Sequence, residues 1–70
     1  MSAGHGDVHH LDVPDRGELY EDGERVVVVR APSGTRDLER GVLGTHFVMS
    51  CHRVERDGVP MLNVGLLRVG

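Results

Sequence analysis

The residues best suited to chemistry form a histidine-rich cluster near the start of the chain. His5, Asp7, His9 and His10 follow one another closely. Alternate residues of an extended chain point to the same side, and imidazole with carboxylate is a ligand set that suits zinc or nickel. The spacing differs from HExxH, in which a helix brings two histidines to one face. The cluster is therefore a candidate metal site, or else a group of solvated polar residues, and no resident cofactor is predicted.

Arginine is the second source of candidate chemistry. All eight basic residues are arginines. Arginine suits bidentate contacts with carboxylate or phosphate, although a GC-rich genome would produce the same bias. The net charge of −3 argues against nucleic acid as the main partner, because phosphate binding needs a basic surface. A nucleic-acid- or anion-binding barrel remains an alternative function, and its candidate residues are Arg25, Arg30, Arg36 and Arg40.

A nucleophile beside a base is suggested by Cys51 and His52. Neighbours on a strand point to opposite faces, however, so the two side chains would not meet. The carboxylates are spread over turns and hairpin ends, without a pair whose surroundings would separate two pKa values. A sheet of this size also has little room for a substrate pocket. The sequence therefore predicts that the protein is not an enzyme.

Two hairpins are expected to position these residues. The first contains the valine run Val26–Val29, whose β-branched side chains favour a strand with apolar groups on both faces. Asp22-Gly23 predicts a type I′ turn before it, with Glu18–Glu21 as a short partner strand. Thr35 and Gly41 flank a segment that would form one helical turn over Arg36–Arg40.

The second hairpin covers Val42–Val69 and turns at Asp57-Gly58. Counting outward from the turn pairs His52 with Asn63 and Val48 with Leu67. This register gathers one apolar face and leaves the other face mixed, with the C-terminal strand at an open edge. The apolar face consists of Phe47, Met49, Cys51, Leu62, Val64 and Leu66.

The predicted fold is mostly β, a small antiparallel barrel or sandwich of the SH3-like or OB-like size class with one short helical turn. Residues 1–17 are expected to form an extended, flexible polar arm, and residues 18–70 the β domain. A chain of 70 residues with one cysteine, one Phe and no Trp has little core and no internal disulfide. Self-association is therefore the expected source of additional stability.

The function hypothesis follows from this thin core. The chain is expected to be a structural or interaction module that forms a homo-oligomer or docks as an accessory subunit on a larger assembly, such as a virion. Without an export signal or an apolar run long enough to span a bilayer, a cytoplasmic or virion-associated location is expected, and no membrane partner. The predicted interaction face comprises Val26, Val28, His46, Val48, His52, Asn63, Leu67 and Val69.

Overall fold

The computed structural model describes residues 8–69, and these form a single antiparallel sheet of five strands in the order β1-β5-β4-β2-β3. The mostly β class is confirmed. No helix is present among these residues, and so none is long and apolar enough to cross a membrane. The strands are β1 (Val8–Pro14), β2 (Arg25–Arg30), β3 (Arg36–Arg40), β4 (His46–Arg56) and β5 (Val59–Arg68).

The sheet curls around one apolar core, and we call the side that encloses this core the inner face. Both edge strands contribute to the core, Val13 from β1 and Leu38 from β3. The two edges also contact each other, but no ladder joins them. The sheet is therefore strongly curved without closing into a barrel. The core consists of Val13, Val26, Leu38, Val48, Leu62, Val64 and Leu66, with Leu11, Tyr20, Val28 and Cys51 packed against it.

The flexible arm predicted over residues 1–17 is not confirmed, because Val8–Pro14 form the edge strand β1. Leu11 pairs with Val64 and Val13 pairs with Leu62, and both of these apolar residues reach the inner face. This strand also covers β5. The C-terminal strand consequently lies between β1 and β4, and the prediction that it forms an open edge is wrong.

The predicted helical turn over Arg36–Arg40 is wrong, because this segment is β3 and pairs with β2 along its whole length. Leu38 pairs with Val28, and together they contribute to the inner face. A single helical turn has few backbone hydrogen bonds of its own, whereas a strand in this place uses the ladder of β2. The alternating charges of β3 also suit an edge strand, because they discourage pairing with further chains.

The two predicted turns differ in outcome. At the second turn both Asp57 and Gly58 have positive φ, 53° and 78°, as a type I′ hairpin requires. At the first turn, the Glu24 N–H donates to the Glu21 carbonyl at 3.1 Å, but only Gly23 has positive φ. The first turn is therefore not type I′. Residues 18–21 form no strand, and β2 pairs with β3 and β4 instead.

A β-bulge at Met49 divides the second hairpin. From the turn to Ser50↔Gly65 the observed register matches the prediction, including the pair His52↔Asn63. Beyond the bulge, Val48 pairs with Leu66 instead of Leu67. A shift of one residue exchanges the faces of a strand. Val48 is therefore fully buried, whereas Met49, which was predicted in the apolar face, is 47% exposed.

Candidate functional site

A cleft of about 340 Å³ is lined mostly by inner-face residues of the sheet. Strand β2 pairs with β4 only through Arg25↔Phe47 and Val26↔His46. The remainder of β2 has no ladder to β4, and this part contributes Val28 to the cleft. All five strands provide lining residues, which are His9, His10, Leu11, Val28, Arg36, His46 and Leu66.

The polar lining of the cleft is basic. His46 pairs with Arg68, and His9 pairs with Leu66, so β1, β4 and β5 bring three basic side chains to the same region. Burial, followed by the charges of Arg68 and His9, lowers the pKa of His46. Its Nδ1 atom lies 2.9 Å from Thr45 Oγ1. No Asp or Glu is among the described residues that line the cleft.

One of the predicted anion-binding arginines lines this cleft, and a second is its neighbour across the ladder. Arg36 lines it, and Arg30 is the direct cross-strand partner of Arg36. Like charges directly opposite each other destabilise a ladder. Within residues 8–69, neither guanidinium has a carboxylate within 4.0 Å. Both side chains are exposed and can accept an anionic partner.

The other two predicted anion-binding arginines are engaged within the fold. Arg25 donates to the Gly44 carbonyl through Nη2 at 2.8 Å, and its guanidinium lies 5.4 Å from the centre of the Phe47 ring. Arg40 forms an ion pair with Glu24 and stacks on the Tyr20 ring. The four arginines therefore do not form one basic surface.

The predicted metal site is not assembled in the part of the chain that the structure describes. His5 and Asp7 lie outside the described residues. His9 shares the inner face with Leu11, whereas the His10 ring lies on the other side of the sheet, above Gly65. Among residues 8–69 no group of three or more potential metal ligands is found.

The predicted interaction face does not exist as one surface. Val26 and Val48 are fully buried, Val28 packs against the core, and His46 lines the cleft. The Met49 bulge accounts for the position of Val48 and His46, and pairing with β3 and β4 turns Val26 inward. The remaining members are the cross-strand pair His52 and Asn63, together with Leu67 and Val69, all outside the core.

On the outer face, Asp12 holds a polar network that joins β1 to the second hairpin. Its carboxylate accepts hydrogen bonds from Arg56 Nε at 2.8 Å and from Asn63 Nδ2 at 2.9 Å. The hydrogen bond from Arg56, and then that from Asn63, lowers the pKa of Asp12. Asn63 thus bonds to β1, although the sequence suggested His52 as its partner. At the gap between the sheet edges, Arg16 pairs with Asp37 and lowers the pKa of that carboxyl by its hydrogen bond.

The sequence reasoning did not single out the turn between β3 and β4. The Gly44 N–H donates to the Gly41 carbonyl at 2.8 Å, so Val42 and Leu43 occupy the centre of a four-residue turn. They are 83% and 87% exposed. Turn centres are normally occupied by Gly, Pro, Asn, Asp or Ser. The two flanking glycines were the available signal, since a Gly-Val-Leu-Gly stretch predicts a turn with apolar residues at its tip.

Arg68 was also missed as a candidate. Counting outward from the second turn places it opposite Phe47, and the bulge at Met49 moves it opposite His46. Comparisons with family models, with curated proteins and with solved structures give no match to this chain.

Proposed function

We propose that the protein is a non-enzymatic interaction module that self-associates, or docks as a small accessory subunit on a larger protein assembly. The observation that carries this proposal is the turn at Val42 and Leu43, whose two large aliphatic side chains are 83% and 87% exposed. Burying a Val or Leu side chain contributes about 1.5–3 kcal/mol. A small domain has few such groups, and placing two of them at a turn suits contact with another protein surface.

The surroundings of the turn favour a second copy of the chain as the partner. A groove lies beside it and is lined by Glu24, Arg25, Arg40, Gly41 and Val42. The projecting apolar turn and the adjacent groove belong to the same surface patch. Two such patches related by a two-fold axis can each insert a turn into the groove of the other, as an isologous dimer requires.

The fold supports the same proposal in a broader way. The contact between β1 and β3 supports describing the domain as a half-open barrel of the SH3-like or OB-like size class. Domains of this size are marginally stable alone. The association proposed here would add buried apolar area and would suit a cytoplasmic or virion-associated assembly.

The test is sedimentation of the wild type and of two double variants up to about 1 mM. V42S/L43S should weaken the dimer at least about 100-fold, because four aliphatic side chains are lost per dimer. M49S/V59S is the matched control, since it removes two aliphatic side chains that are 47% and 52% exposed elsewhere. The control should still form dimers, and both variants should retain the wild-type circular dichroism spectrum.

Two results would contradict self-association through this turn. One is a wild-type protein that stays monomeric over the whole concentration range. The other is equal weakening in the two double variants, which would indicate general surface hydrophobicity. A monomer that co-purifies with another protein, and loses it in V42S/L43S, would support docking on a different assembly.

A further inference from the structure

We propose that the cleft lined by His9, Arg36 and His46 is a binding site for a small organic phosphate monoester. The phosphate would be held by Arg36, with Arg68 at the rim, and the organic group would lie on the apolar floor. This site goes beyond the proposed interaction function and shares no lining residue with the Val42–Leu43 turn.

Basic side chains without a carboxylate partner among residues 8–69 converge at the cleft. Arg36 and His46 line the cleft, Arg30 is directly opposite Arg36, and Arg68 is directly opposite His46. Within residues 8–69, none of the three arginines has a carboxylate within 4.0 Å. In contrast, Arg16, Arg40, Arg53 and Arg56 each have a carboxylate partner. The arginines that lack one are thus concentrated at the cleft, apart from Arg25, which bonds to the Gly44 carbonyl.

The positive charge at the cleft suits a ligand with two negative charges. A phosphate monoester carries a charge of about −1.5 to −2 near pH 7 and presents three acceptor oxygens. The planar guanidinium group binds such oxygens in pairs. A carboxylate carries one charge and would leave more of the repulsion between Arg30 and Arg36 in place.

The shape and lining of the cleft suit a small organic ligand. Its volume of about 340 Å³ lies at the lower end of the range for small-molecule sites. Leu11, Val28 and Leu66 supply an apolar floor beneath the basic groups. A site with an apolar floor and a few convergent polar groups is the usual arrangement for a compact organic ligand, and the mouth of a curled sheet is a usual place for it.

The titration of His46 provides a readout of anion binding at the cleft. Burial, Arg68 and His9 lower its pKa in the free protein. The other charged groups at the cleft, Arg30 and Arg36, are also positive. A bound dianion stabilises the protonated imidazole. The pKa of His46 should therefore rise when a phosphate monoester binds, and its ring proton resonances would report that change.

The test is a titration of the 15N-labelled protein with phenyl phosphate, followed by NMR. Saturable shifts are expected for the amides of His9, Arg36, His46 and Leu66. R36Q should weaken binding about 10- to 100-fold, because a charged hydrogen-bond donor is lost. R53Q is the matched control, since it removes the same charge from an exposed arginine that does not line the cleft. Its affinity should stay within about twofold of the wild type, as expected for a distant and independent site.

Benzoate, inorganic phosphate and a single-stranded oligonucleotide complete the experiment. Benzoate carries only one negative charge, and inorganic phosphate has no organic group to contact the apolar floor. Both should therefore bind more weakly than phenyl phosphate. Binding of benzoate as tight as that of phenyl phosphate overturns the assignment to phosphate monoesters, and tighter binding of the oligonucleotide overturns the assignment to a small ligand. No saturable shift at about 10 mM phenyl phosphate, or equal weakening in R36Q and R53Q, overturns the site itself.

Thermal unfolding provides a second readout that does not depend on assigned resonances. Phenyl phosphate should raise the melting temperature of the wild type, because a ligand that binds only the folded state stabilises it. At the same ligand concentration it should raise that of R36Q less, because R36Q binds the ligand more weakly. Without ligand, R36Q should melt no lower than the wild type, since the substitution relieves the repulsion with Arg30.

Discussion

The Met49 bulge makes a sharp prediction, because it reverses the roles of two neighbouring residues. In an uninterrupted hairpin, Met49 would lie in the core and Val48 outside it. In the structure Val48 is fully buried and Met49 is 47% exposed. V48A removes two buried carbon atoms at about 0.8 kcal/mol each and leaves a cavity, so it should cost about 2–3 kcal/mol. M49A removes a larger but half-exposed group and should cost less than about 1 kcal/mol.

Urea unfolding followed by far-UV circular dichroism, at one protein concentration, would measure this difference. A domain of 70 residues is expected to have a stability of about 4–10 kcal/mol. With a urea m-value of about 1 kcal/mol/M, V48A should lower the midpoint by about 2 M or more. M49A should lower it by less than about 1 M. A larger loss in M49A than in V48A would refute the bulge and support the uninterrupted register.

Deleting Met49 tests the same geometry more severely. Val48↔Leu66 and Ser50↔Gly65 already flank the bulge, so the deletion should close the ladder without turning any side chain to the other face. The loss of packing, at most about 1.5 kcal/mol, is opposed by the backbone entropy of one residue, about 1–2 kcal/mol. The net change in the free energy of unfolding should therefore stay within about 1.5 kcal/mol.

Deletion of Gly65 is the control for that experiment. It would shift either Asn63 and Val64 or the end of β5 by one place. In either case a side chain would enter the Gly65 position, where a Cβ atom would lie 2.6 Å from Ser50 Oγ. In the first case Asn63 would also take the buried place of Val64. Burying the amide costs about 1–3 kcal/mol, and the lost valine burial adds about 1.5–3 kcal/mol. This variant should therefore lose clearly more stability than the Met49 deletion, and equal stability of the two deletions would refute the argument.

Two further predictions concern backbone contact and pH. G44A should destabilise the fold by about 1–3 kcal/mol in urea unfolding, because its Cβ would lie 2.5 Å from the Val26 backbone nitrogen. G41A is the control and should be neutral, because a Cβ at Gly41 would have nothing within 4 Å. Equal effects of the two substitutions would contradict the close approach at Gly44. The lowered pKa of Asp12, caused first by Arg56, gives stability that is present above the ordinary value of 3.8 and is lost as the pH falls through the lowered value. D12N should therefore be less stable than the wild type at pH 7, and the difference in urea midpoint should shrink as the pH falls below the ordinary value of 3.8. A difference independent of pH would count against the ion pair.

The second hairpin was predictable because its information is local. Asp57-Gly58 indicates the turn type, and the residues next to it alternate with the period of a strand. The register follows by counting, and it holds as far as Ser50↔Gly65. It fails at the bulge because an extra residue leaves no mark in a pattern where Phe47, Val48 and Met49 are all apolar. Burial on either face was equally consistent with those three side chains.

The edge strands were not predictable in the same way, because their partners are distant in the sequence. The core residues of β1, Leu11 and Val13, are interleaved with polar ones and pair with β5 about 50 residues later. The β3 segment has a single buried residue, Leu38, and its flanking Thr35 and Gly41 resemble helix caps. In both cases tertiary pairing outweighed the local signal.

The basic cleft depends on the same topology. The sequence assigned His9 to a metal site, Arg36 to an anion site and His46 to an interaction face. The structure brings all three to one cleft, because β1 folds back onto β5 and β3 pairs with β2. Each residue was recognisable as a candidate by its type, but only the order of the strands shows that the three line one cleft.

The bulge also connects the core to the cleft. Before Met49, the inward-facing residues of β4 are His46 and Val48, whose partners are Arg68 and Leu66. After Met49, the inward-facing residue is Cys51, which pairs with Val64. The even-numbered residues His46 and Val48 can share one face with the odd-numbered Cys51 only because an extra residue, Met49, lies between them. The feature that buries Val48 therefore also brings His46 into the cleft. The Met49 deletion, which preserves both pairs, should retain phenyl phosphate binding even where it alters stability. Loss of binding in a deletion variant that remains folded would show that the curvature of the bulge, beyond its register, shapes the site.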